Sequence, residues 1–131
     1  MNQFSLFDAF RAPPILRSID PDGTVVKGEP RHSFVLPHPR RSYNRCRIEL
    51  HPSSDDLWMW SVSFHTDSDG CGSSYRVGEK WGQFALTRDD ALHYALKELE
   101  AKLAEMLLRS PCKSIAKIRA WANSLTLEAV S

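Results

Sequence analysis

The run Trp58-Met59-Trp60-Ser61-Val62-Ser63-Phe64-His65 alternates large apolar side chains, at Trp58, Trp60, Val62 and Phe64, with Met59, Ser61, Ser63 and His65. A period of two is the repeat of an extended chain, whose successive side chains point to opposite faces, so the run reads as a strand with one face in a core. Upstream, Arg45-Cys46-Arg47-Ile48-Glu49-Leu50 has the same repeat: Cys46, Ile48 and Leu50 share one face, and Arg45, Arg47 and Glu49 the other. This is the pattern of a half-buried antiparallel strand. Between the two, Pro52-Ser53-Ser54-Asp55-Asp56 supplies turn-forming residues.

Downstream, the glycine-containing run from Asp67 to Ser74 turns the chain toward a third strand at about Tyr75 to Val77, with a fourth near Gly82 to Leu86. The period then changes. Thr87-Arg88-Asp89-Asp90 offers a side-chain cap and two acids that complement the positive end of a helix dipole. Leu92, Ala95, Leu96, Leu99, Leu103, Met106 and Leu107 follow at three- and four-residue spacing, which predicts an amphipathic helix of about six turns. Ser110-Pro111 ends it and opens another, with Ile115, Ile118, Trp121, Ala122 and Leu125 as the apolar side. Strands followed by helices predict an α+β domain: an antiparallel three- to four-stranded sheet, a long helix across one face, and a second C-terminal helix.

Upstream of the alternating pair the pattern breaks down. Residues 1 to 42 hold six of the eight prolines, each of which fixes a backbone dihedral and removes a donor, so an irregular N-terminal arm and lead-in are expected there. Thr24-Val25-Val26 and Ser33-Phe34-Val35-Leu36, separated by Gly28-Glu29-Pro30, have the composition of a small edge hairpin. The α+β domain is then expected over residues 43 to 131, with no internal repeat.

The chain has 131 residues, enough for one core, and a net charge of +1 that conceals an uneven distribution. No acidic residue falls between Arg31 and Ile48, a stretch with five arginines. Arg40, Arg41, Arg45 and Arg47, with Tyr43 among them as a stacking surface, form the candidate nucleic-acid-binding segment, and Lys113, Lys117 and Arg119 add charge on the last helix. A solvated basic face is the competing reading. No recognition motif accompanies these cations, so contact without marked sequence preference is expected. Three widely spaced cysteines, Cys46, Cys71 and Cys112, argue against a disulfide framework. No apolar run is long enough to span a bilayer and the first residues lack a secretory pattern, so a cytoplasmic protein without membrane contact is expected.

His65, Asp67, Asp69 and Cys71 are a mixed donor set within seven residues, but a second Cys/His pair is missing, as is the terminal glutamate of a calcium loop. A polar hairpin turn accounts for them. Cys71, between Gly70 and Gly72, has His65 as a candidate base but no recognisable third group or oxyanion site, so it reads as an ordinary loop cysteine, and Asp55-Asp56 and Asp89-Asp90 read as a turn and a helix start. The sequence thus predicts no catalytic residue, no metal and no cofactor.

Near the start stands Gln3-Phe4-Ser5-Leu6-Phe7. This pentapeptide resembles the bacterial sliding-clamp-binding peptide, usually written Gln-Leu-(Ser or Asp)-Leu-Phe; Gln3, Ser5, Leu6 and Phe7 match and Phe4 departs from the usual leucine. The resemblance implies a protein partner, the replication clamp, with Leu6 and Phe7 as buried anchors, Gln3 at the pocket rim and Ser5 as spacer. An alternative comes from Phe4, Phe7 and Phe10, whose i, i+3 spacing also fits an apolar arm folded onto the protein's own core. Across roughly residues 45 to 108 the cadence of tryptophan-rich strand, glycine turn, strand and Thr-x-Asp-Asp-Ala helix resembles small accessory proteins of plasmids and phages. That likeness implies either a clamp-associated accessory protein or, in a different class, an inhibitor of a host defence nucleoprotein complex of the anti-restriction or anti-CRISPR kind.

Overall fold

The computed structural model describes residues 12–40, 44–66, 72–109 and 113–130. Its strands are β1 (Ile15–Leu16), β2 (His32–Pro37), β3 (Asn44–Pro52), β4 (Trp58–His65), β5 (Gly72–Ser73) and β6 (Gln83–Ala85), followed by helices α1 (Arg88–Arg109) and α2 (Lys113–Val130). Five strands lie in the order β1-β6-β4-β3-β2, each antiparallel to its neighbours, and the two-residue β5 pairs with the end of β4. The fold is α+β, an antiparallel sheet followed by two helices.

The β3–β4 hairpin is the centre of the sheet, with Ile48 opposite Val62 and Leu50 opposite Trp60. Its turn is closed by Ser53, whose amide donates to the Leu57 carbonyl at 2.6 Å and whose hydroxyl accepts from the Leu57 amide at 3.1 Å. Asp56 takes a left-handed backbone there, φ 63°, which Asp tolerates in turns.

The alternation predicted for β3 and β4 fixes which face meets the helices. Cys46, Ile48, Leu50, Trp60, Val62 and Phe64 point to one side and bury against Leu92, Ala95, Leu96, Leu99 and Leu103 of α1 and Ile115 and Ile118 of α2. Phe64, Leu99 and Ile118 are among the largest fully enclosed side chains, each contributing about 1.5–3 kcal/mol by leaving water. Helix α1 is capped as the sequence predicts: the Asp90 amide donates to Thr87 Oγ1 at 3.1 Å. Among the described residues no helix is long and apolar enough to cross a membrane.

The sheet is wider than the expected three to four strands because the proline-rich lead-in joins it. Ser33-Phe34-Val35-Leu36 does not pair with Thr24-Val25-Val26; it forms β2, in register with β3, Phe34 opposite Ile48 and Leu36 opposite Cys46. Pro37 is accommodated by a register shift at the end of this edge strand. Val26 instead bonds the Val77 carbonyl through its amide, at 2.8 Å. Residues Tyr75 to Val77 are likewise not a strand. The chain leaves β4 after β5, crosses its second face and rejoins its edge only at β6, where Met59 lies opposite Phe84. Met59, Val77 and Phe84 form a second small core there, closed by Ile15, Val26 and Leu57.

Candidate functional site

The face of the hairpin turned away from the helices carries Arg45, Arg47 and Glu49 from β3 and Ser61, Ser63 and His65 from β4. Alternation placed these side chains together, and the returning segment covers part of them. Glu49 is buried, with its side chain 6% exposed. Its Oε1 accepts from the Ser61 hydroxyl at 3.2 Å and from the Val77 amide at 3.3 Å, while Oε2 lies 3.0 Å from Arg47 Nε. That last contact is an ion pair only, because Nε is enclosed and makes no hydrogen bond in this geometry. A carboxylate deprived of water is tolerable here because donors and a cation replace its hydration.

The crossing segment is held from both sides. Ser63 Oγ donates to the Tyr75 carbonyl and accepts from the Tyr75 amide, both at 3.2 Å. The Tyr75 side chain then passes the open edge of β4 to reach α1, where its hydroxyl donates to Glu98 Oε2 at 2.7 Å. Glu98 also receives the Trp60 indole N–H at 3.0 Å and the Lys102 ammonium at 2.9 Å, and Gln83 donates to the Tyr75 hydroxyl at 2.8 Å. Burial, then the Glu98 charge and its hydrogen bond, push the Tyr75 phenol well above the usual tyrosine range. It stays a neutral donor, locking the segment to the helix.

Between this segment and the hairpin lies a cavity of about 260 Å³. Asn44, Arg47 and Glu49 line it from β3, Ser63 and His65 from β4, and Ser74, Tyr75 and Arg76 from the crossing segment. Two guanidinium groups, a histidine and an amide share the lining with one carboxylate, while the Ser63 and Ser74 hydroxyls donate to the Tyr75 carbonyl and to Ser63 Oγ. The two guanidiniums are the groups of this lining able to meet an oxyanion.

Of the arginine segment singled out from sequence, Arg40 is exposed, Arg47 lines the cavity with its side chain 31% exposed, and Arg45 is 5% exposed. Arg41 and Tyr43 lie outside the described residues, as do Gln3, Phe4, Ser5, Leu6 and Phe7. Arg119 of α2 is occupied by a two-pronged contact with Glu100 of α1, at 2.6 and 3.2 Å. Sequence reasoning missed Arg76, which lines the same cavity as Arg47 because the segment folds back over β3 and β4.

His65 belongs to this cavity, and Asp67, Asp69 and Cys71 lie outside the described residues. Among the described residues no cluster of three or more His, Cys, Asp or Glu side chains is placed to hold a metal ion. Cys46 is a free, buried thiol pushed up to about 12 by burial, which makes it a core residue rather than a nucleophile. His32 packs beside Trp58, ring centroids 5.7 Å apart, and burial with Arg88 and Arg31 nearby lowers its pKa. No protein-family model matches the chain, and searches of curated proteins and of solved structures give no significant match.

Proposed function

We propose that this chain is a noncatalytic accessory protein of a bacterium or its mobile elements, which docks on the replication sliding clamp through Gln3-Phe4-Ser5-Leu6-Phe7 and contacts nucleic acid without sequence preference through its α+β body. The observation that carries the reading is the pentapeptide, with four of its five residues matching the clamp-binding pattern. Adjacent Leu6 and Phe7 suit a preformed apolar pocket, and burying both supplies about 3–6 kcal/mol before ordering costs are subtracted. The result is a weak tether of micromolar class.

A tethered body needs only a modest grip on nucleic acid, because the tether raises the local concentration of the second partner. Arg40, exposed, and Arg47, at the cavity, are the arginines of the segment available to phosphate among the described residues. The burial of Arg45 assigns that side chain to the fold in this reading. Titration of the intact chain and of its Leu6→Ala and Phe7→Ala variants against a purified bacterial sliding clamp tests the proposal.

A further inference from the structure

Arg47 and Arg76 come from different parts of the fold, both line the cavity, and each also reaches one of two successive residues, Gly28 and Glu29, that stand outside its lining. Arg76 Nη2 donates to the Gly28 carbonyl, and Arg47 Nη2 lies 3.5 Å from Glu29 Oε2. Gly28 has φ 92°, a left-handed conformation that favours glycine at this turn. The Glu29 carboxylate is 87% exposed, so Arg47 is its counter-ion but water is its main solvent. Glu49 differs from it: buried and bonded to Ser61 and Val77, it is a fixed part of the floor.

We propose that the cavity is a binding site for the phosphate group of a nucleotide, and that Glu29, which reaches Arg47 from outside the lining, competes with the ligand for that guanidinium. Three observations converge. The lining presents two guanidiniums, a type of group suited to phosphate oxygens, and the contact of Arg47 Nη2 with Glu29 is long enough to yield to one. Asn44 and His65 line the same space. At about 260 Å³, the space falls just below the range of roughly 300–1,000 Å³ common for small-molecule pockets, a fit for a phosphate and its sugar. An exposed carboxylate held at one guanidinium by a long contact is a weak internal substitute for such a ligand.

The same phosphate chemistry has two sources, a free mononucleotide and the 5′-phosphorylated end of a strand. The inference stands on the cavity alone and is independent of the clamp reading, since failure of either leaves the other's measurement intact. The test is a titration of the intact chain, followed by amide chemical shifts, with thymidine 5′-monophosphate, thymidine, and a short oligothymidylate with and without a 5′-phosphate. Saturable shifts at Arg47, Ser63, His65 and Arg76 with the monophosphate, and none with thymidine, are expected. Tighter binding of the monophosphate identifies the free nucleotide as the source, and tighter binding of the phosphorylated oligomer identifies the strand end.

Arg47→Met and Arg76→Met should each weaken binding about tenfold, the loss of one charge-assisted contact. Glu29→Gln should strengthen it about threefold, since the variant removes the competing carboxylate. A gain of affinity is a readout that partial unfolding of a variant does not produce. Absence of saturable shifts at millimolar monophosphate, equal response to thymidine, or affinity indifferent to both arginine substitutions would overturn the proposal.

Discussion

Arg47 and Glu49 stand two positions apart on one strand and on one face, with Arg47 Nε 3.0 Å from Glu49 Oε2; both Nε and the acid are buried, while the rest of the Arg47 side chain stays partly open to water. The arginine bridges a buried acid and an open cavity. Glu49→Ala would remove the acceptor for Ser61 and the Val77 amide and leave the enclosed Nε of Arg47 without its counter-charge. A loss of about 2–4 kcal/mol is expected in urea denaturation. A change below about 0.5 kcal/mol, the scale of an exposed pair, would show that the contact is incidental.

The neutral Tyr75 phenol makes a pH-dependent prediction. Its pKa is raised in the folded protein, so above about pH 10 the unfolded chain releases a proton that the folded chain keeps. Stability contributed by this group is therefore complete below that pH and declines as pH rises further. Tyr75→Phe should cost about 1–2 kcal/mol at neutral pH, through the lost contacts with Glu98 and Gln83, and should lose less stability than the parent between about pH 9 and 11. Parallel declines in the two proteins would contradict the assignment.

Gly82 is where the chain closes the edge of the sheet. Its φ of 68° is left-handed, and a Cβ there would lie 2.2 Å from the Arg17 carbonyl oxygen, so Gly82→Ala strains the backbone and displaces β1 together. The left-handed conformation alone costs about 1–2 kcal/mol for alanine, and the clash adds to it. Thermal melting should show the loss, while Gly28→Ala, which has open space around its Cβ, should incur only the conformational part. Equal effects of the two substitutions would remove the close packing of Arg17 from the account.

Nucleic-acid contact should be salt-dependent and unevenly distributed over the arginines. With three or four phosphates neutralised, the logarithmic slope of affinity against salt is about −3, and Arg40→Ala and Arg47→Ala should each reduce it by roughly one. Arg45→Ala should act mainly on stability, given the burial of that residue. Affinity independent of salt, or no binding to single- or double-stranded DNA at low salt, would leave these arginines as a solvated or protein-facing surface.

The hairpin, both helices and most of the core were legible because each follows one uninterrupted period, two in β3 and β4 and three to four in α1 and α2. β2 was obscured as a partner of β3 by neighbouring prolines: Pro37 is allowed because it closes an edge strand at a register shift, a condition set by the fold rather than by local sequence. Glu49 read as a solvent-facing residue by alternation, but the crossing segment covers it. The cavity was illegible for a related reason. Arg47 and Arg76 share no spacing rule, and Arg76 is brought to the cavity by the segment that Ser63 and Glu98 hold through Tyr75.

The most direct measurement of the central claim is titration of the intact chain against purified bacterial sliding clamp, by fluorescence anisotropy or calorimetry. The account predicts saturable binding of micromolar class, abolished by Leu6→Ala and by Phe7→Ala and unaffected by Arg47→Met. Absence of binding, or binding that survives both apolar substitutions, would contradict it.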